Sequence, residues 1–112
     1  MIVCVPVTPS DEIDPRWGRA AHVAVVDVQD GELTQWQTFD VAWDELHDTG
    51  TGGGHHARIA RFLLEHGVQV VIAHHMGDPM AQMLEQMAIE VQLGASGDAR
   101  DAVLAVARTR AD

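Results

Sequence analysis

Histidine is the residue type best placed to do chemistry in this chain. Seven occur, at positions 22, 47, 55, 56, 66, 74 and 75, and two pairs are adjacent, His55-His56 and His74-His75. Neutral imidazole is a common ligand for transition metals. Competing chemistries lack their residues. A single cysteine, Cys4, leaves no internal disulfide and no multi-cysteine zinc site. It lies within an apolar run and reads as a small core hydrophobe. Ser10 and Ser96 fall in turns, with no base credibly beside either, so nucleophilic catalysis has no candidate. The first apolar run, Met1–Val7, carries no carboxylate, which sets aside two-metal phosphodiester chemistry.

The charge balance narrows the partners. Seven basic against seventeen acidic residues give −10, and no lysine occurs in the 112 residues. Each phosphate contact needs a Lys or Arg, so neither nucleic acid nor an anionic membrane is expected as a general surface partner. No apolar run approaches the roughly 20 residues of a membrane span. With 46% hydrophobic residues, a single packed domain over residues 1–112 in the cytoplasm is expected.

Which elements must position the histidines is set by periodicity and turn chemistry. Met1–Val7 is apolar throughout and β-branched, the pattern of a central strand covered on both faces. Thr8–Gly18 is turn-rich. Ala20–Val28 and Glu32–Phe39 read as strands joined by Asp30-Gly31, a strong hairpin signal. Asp40–Gly54 is a long polar segment ending in glycines, read as a mobile loop. His55–His66 has apolar residues at helical spacing and Gly67 as its stop. Val68–Ala73 is a buried strand. Asp78 as N-cap and Pro79 start a helix with Met80, Met83, Leu84 and Met87 on one face. Ile89–Leu93 is a short strand, and Gly94–Gly97 leads into a helix over Asp98–Arg110. The order βββαβαβα and right-handed crossovers give an α/β fold whose five-stranded mixed sheet runs 3-2-1-4-5, with strand 2 antiparallel.

That order gathers the histidines. Taking the end of strand 1 as the top, strand 2 begins there with His22 and strand 3 climbs back to the loop holding His47. The first helix descends from His55-His56, and strand 4 rises to His74-His75. Only His66 falls at the opposite end. The same rim is the topological switch point, where open α/β sheets bind ligands outside the strand carboxyl ends. All three helix N-termini are expected there, offering backbone N–H donors and partial positive charge, with Arg16 and Arg19 beside them and the Gly94–Gly97 turn as a backbone cradle. Such a pocket suits an anion, and imidazoles with N–H donors and arginines suit an anionic metal cluster better than a bare divalent ion. The ligand set read from this placement is His22, His55, His56, His74 and His75, with one member of each pair pointing inward. Asp78 or Asp48 could hold the second nitrogen of a ligating ring. Met76 and Met80 offer soft thioethers, and Trp17 and Trp43 flank the rim loops. Asp11, Glu12 and Asp14 read as a solvated turn, and His66 as a helix-terminal residue.

The segments IVCVPV, PRWGRAAHVAVVDV, GTGGGHHARIARFLLEHGVQVVIAHHMG and VQLGASGDARDAV resemble, over nearly the full length, the dinitrogenase iron–molybdenum cofactor biosynthesis family of NifX-like and NifB C-terminal-like domains. The resemblance implies a ribonuclease H-like three-layer fold. It also implies a carrier or chaperone role toward metal–sulfur clusters of iron or molybdenum type, with a cluster donor or acceptor protein as partner. Supporting positions under this reading are Arg16, Arg19, Gly53, Gly54, Gly77 and Ser96. Family members often carry a His just before the aromatic–Gly pair; here that position is Arg16, before Trp17-Gly18. Two other function classes stand beside the carrier: a small His-ligated metalloenzyme with an open coordination position, and an interaction or regulatory protein that keeps only the fold.

Overall fold

The computed structural model describes residues 1–46 and 52–109, so His47 and Asp48 lie outside the described residues. The apolar opening becomes β1, Ile2–Val7, buried on both faces. Val3, Val5 and Val7 point into one core cluster and Cys4 into the other. The two-residue alternation of a strand thus splits the interior into two layers. β1 pairs antiparallel with β2, His22–Gln29, which pairs antiparallel with β3, Glu32–Asp40. Asp30 and Gly31 join them, both at positive φ (54° and 79°), the backbone that a two-residue hairpin turn needs. On its other side β1 runs parallel to β4, Val70–Ile72, and β4 parallel to β5, Glu90–Gln92. The sheet order is the expected 3-2-1-4-5, and helices cover both faces in a three-layer α/β arrangement.

Two core clusters show which helix covers which face. Ile59 and Leu63 of α2, Gly52–Glu65, join Met80 and Leu84 of α3, Asp78–Gln86, against Cys4, Val23 and Val71. On the other face Ala99, Val103 and Ala107 of α4, Ala99–Thr109, pack on Val3, Val5, Ala24 and Val26. Arg100 of α4 lies 4.4 Å over the Trp36 ring, tying the edge strand β3 to that helix. Burial without a partner charge pushes the Cys4 thiol well above the usual range, which keeps it neutral and inert as a core residue.

Three sequence expectations need correction. The polar segment after β3 is not wholly loop: Trp43–Leu46 forms a short helix, α1, whose Trp43 is buried. Its backbone is tied to the chain before β2, with Trp43 N–H donating to Ala20 O at 3.1 Å and Val41 N–H to Ala21 O at 3.0 Å. Next, α2 starts at Gly52 rather than His55. Glycines are poor helix formers, so propensity alone does not account for this first turn. Last, the N-cap of α3 is Gly77, with Asp78 inside the first turn and no side-chain cap bond; Pro79 keeps its place in that turn.

The ends of α2 and α3 use one device with different residues. After α2, Val68 N–H donates to Leu63 O (3.0 Å) and Gly67 N–H to Leu64 O (3.2 Å); Gly67 sits at φ 64°. After α3, Ile89 N–H reaches Leu84 O (2.9 Å) and Ala88 N–H reaches Glu85 O (3.0 Å), with Ala88 at φ 59°. Both are Schellman closures, whose left-handed residue is best filled by glycine. An L-residue held there costs about 1–2 kcal/mol. Ala88→Gly is therefore expected to raise the unfolding free energy by about 1 kcal/mol, read as a higher urea midpoint at unchanged slope.

Candidate functional site

At the carboxyl ends of β1 and β4 the chain leaves the sheet in three segments that enclose a cavity of about 340 Å³. One wall is the turn after β1, with Pro15, Arg16, Trp17, Gly18 and Arg19. The second is the start of α2, with His55 and His56. The third is the β4–α3 connection, with His75, Met76, Gly77, Pro79 and Met80. Central strands β1 and β4 are neighbours whose connections diverge here, so the cavity occupies the switch point of the sheet.

Each wall has a local cause. Residues Trp17–Arg19 form one turn of 3-10 helix, and Trp17, at 2% exposure, packs its ring edgewise on Trp43 with centroids 5.3 Å apart. Trp43 in turn meets Phe62 of α2 at 5.8 Å. Aromatic edge-to-face contacts thus run from the cavity wall along the α2 layer. Ahead of that turn, Asp14 is buried rather than solvated. Its carboxylate accepts the Arg16 backbone N–H at 3.0 Å and the Arg16 side chain at 3.3 Å (Nε) and 3.4 Å (Nη2). The hydrogen bond to Asp14 and then its negative charge hold the Arg16 guanidinium proton more firmly than usual. Arg16 is thereby oriented at the mouth while staying exposed, and Arg19 is exposed beside it.

His55 is a fastener in this conformation. At 3% exposure it is one of two buried polar residues among those described, and both its ring nitrogens are engaged. Nε2 lies 2.8 Å from Gly18 O and Nδ1 lies 3.0 Å from Arg58 Nη1. A carbonyl can only accept and a guanidinium only donate, so the ring must be the neutral Nε2–H tautomer. Arg58 also donates to Leu46 O at 3.2 Å. One histidine and one arginine thus join the first turns of α2 to the 3-10 turn and to α1. Its neighbour His56, about 100° around the helix, lines the cavity half-exposed.

The structure brings His55, His56 and His75 to the cavity together with Arg16, Arg19 and Gly77. It does not bring His22 or His74 there. His22 stands opposite Val7 in the β1–β2 register. Directly opposed residues share a face, and Val7 points to the α4 side, so the sheet itself separates His22 from the cavity. His74 turns toward β5, its Nδ1–H donating to Ala95 O at 3.2 Å. Ser96 lines a separate groove between β5 and α4, and Gly54 another on the outer side of α2. Gly53 lies in the first turn of α2. The N-termini of α2 and α3 border the cavity; α4 begins on the other face with Ala99 in the opposite core. Asp78 is exposed in the first turn of α3, and His66 packs against the rings of Phe62 and Phe39 (4.3 and 4.6 Å).

Two contributors go beyond the sequence reading. Asp14, expected in a solvated turn, orients Arg16. The Trp17 indole is the other: its Nε1 is the one buried side-chain polar atom among the described residues that has no hydrogen-bond partner. Among those residues no three His, Cys, Asp or Glu side chains converge as a metal-ion site. A cavity of this volume with two cations, two half-free imidazoles and two thioethers suits a polyatomic anion rather than a bare ion. Among the described residues no helix is long and apolar enough to cross a membrane.

Solved structures share the whole fold. The apo form of the orange protein from Desulfovibrio gigas superposes with a TM-score of 0.78 at 23% identity, over 97% of this chain and 88% of that one. A protein named PH0822 gives 0.78 at 18% identity, over 97% and 92%. A candidate dinitrogenase from Methanocaldococcus jannaschii gives 0.72 at 14% identity, over 97% and 89%. No curated protein matches the sequence. At these identities the structures speak for the fold alone, but the family match rests on the sequence itself and spans residues 1–109: the chain belongs to the dinitrogenase iron-molybdenum cofactor family.

Proposed function

We propose that this protein is a small carrier that takes up a metal–sulfur cluster of iron or molybdenum type in the cavity between β1 and β4 and hands it to an acceptor protein in the cytoplasm. The observation that carries the reading is charge placement. In a chain of net charge −10, Arg16 and Arg19 stand exposed at one cavity that His56 and His75 also line. In this reading His56 and His75 are the ligands and His55 positions the wall. Met76 and Met80 are soft donors at the floor, and the α3 N-terminus at Gly77 adds backbone dipole. Family membership supports the class of cargo. The orange protein of the same fold, solved as an apo form, is consistent with a site that fills and empties.

The test compares three probes on oxygen-free protein: tetrathiomolybdate, zinc and sulfate. The carrier reading expects tetrathiomolybdate to bind most tightly and to bind at least tenfold more weakly to the His56→Ala/His75→Ala double variant. Tight zinc binding that supports turnover with water or oxygen would replace it with the metalloenzyme reading. Absence of binding by all three leaves a protein that keeps only the fold.

A further inference from the structure

The Trp17 indole carries information about the cargo that the arginines do not. Its N–H can only donate, and it is buried at 2% residue exposure with neither a protein acceptor nor access to water. Such a group is rare in native interiors and is destabilising compared with a satisfied one. Phenylalanine would fill much of the same space and keep an edgewise contact with Trp43 without stranding a donor. Trp17 is also part of the cavity wall, between Arg16 and Gly18. The turn that carries the indole borders the cavity through Arg16, Gly18 and Arg19, its other lining residues.

We propose that Trp17 Nε1–H is a specificity-determining donor, satisfied only when the cavity holds a ligand with hydrogen-bond acceptors on its periphery, such as sulfide, thiolate or oxo groups. The inference rests on the carrier reading and adds a selection rule to it. Arginines attract any anion, and imidazoles ligate any suitable metal. A buried neutral donor favours a ligand whose outer atoms accept. An aquated cation presents water protons outward and cannot satisfy it. Since Nε1 is closed to water in the empty cavity, the contact requires a small swing of the 3-10 turn toward the ligand.

The experiment tracks the three indole N–H resonances of the intact protein during titration with tetrathiomolybdate and, separately, with zinc. Trp17→Phe and Trp43→Phe assign the peaks. The Trp17 resonance is expected to move downfield and exchange more slowly with tetrathiomolybdate, and not with zinc. Trp17→Phe is expected to weaken tetrathiomolybdate binding about ten- to a hundredfold, leave zinc binding unchanged, and keep or raise the thermal midpoint. If the wild-type protein binds tetrathiomolybdate while the Trp17 resonance stays fixed, the inference fails and the carrier reading survives. Equal affinity in Trp17→Phe overturns the inference in the same way. A loss of affinity that tracks a lowered thermal midpoint shows that Trp17 only packs. If tetrathiomolybdate does not bind the wild-type protein, both proposals fall together.

Discussion

Replacing His55 with alanine is expected to lower the unfolding free energy by about 2–4 kcal/mol, while His56→Ala next to it changes stability by less than about 0.5 kcal/mol. The contrast comes from the helical phase. His55 is buried with Gly18 O and Arg58 on its two nitrogens, whereas His56 is half-exposed on the cavity side. Truncating His55 leaves the Gly18 carbonyl without its donor, removes the acceptor of one Arg58 bond, and leaves a void where a buried ring stood. Urea unfolding of both variants checks this. Equal midpoints would show that the His55 contacts contribute nothing net, and a large loss in His56→Ala would reverse the assignment. His55→Ala is also expected to bind cargo poorly, because the turn bearing Arg16 and Trp17 loses its tether to α2.

The second large effect is electrostatic. Arg16→Gln/Arg19→Gln is expected to reduce anion affinity at low salt by at least tenfold and to flatten its dependence on ionic strength, with some loss of stability because the buried Asp14 carboxylate loses its guanidinium partner. Both guanidinium groups are solvent-exposed at the cavity mouth, where screening acts over about 10 Å at 0.1 M salt. Glutamine keeps chain length and polarity, and the Asp14 carboxylate retains its bond from the Arg16 backbone N–H. Isothermal titration at two salt concentrations reads the result. An unchanged salt slope would mean that the imidazoles and Trp17, not charge, hold the cargo.

Most of the fold could be read from residues because its signals are local. Asp30-Gly31 specifies the hairpin, Met1–Val7 has a central strand's composition, and Gly67 stops α2. The parts that could not be read depend on tertiary contact. Helix α1 is four residues long and exists around the burial of Trp43. The glycines that start α2 oppose helix by propensity. The site was legible as an end of the sheet but not as a face. Top-and-bottom reasoning assigned His22 and His74 to one end of the sheet, yet the two-residue alternation of β2, with Ala24, Val26 and Val28 on the α4 side, already placed His22 across the sheet. The phase of α2 likewise marked His55, four residues before Ile59 and eight before Leu63, as the buried member of its pair. Nothing in the sequence announced the burial of Asp14 or the stranded Trp17 donor, since both arise from how the turn after β1 folds back.

The position of β1 also orders events in time. It pairs with β2 through a short excursion, but with β4 across some 67 residues, the span of the Ile2 N–H bond to the Gln69 side chain. Closing a local meander is fast, and closing the long loop is the slower step. The β1–β2–β3 ribbon should therefore form early, with β4, α3 and β5 added later. The cavity lies between the ends of β1 and β4, so it comes into being with the last long-range pairing. A chain caught part-way carries the arginines and the indole but not His75, Met76 or Gly77 opposite them. Such a chain lacks one wall of the cavity, so loading is expected only after β4 has paired with β1.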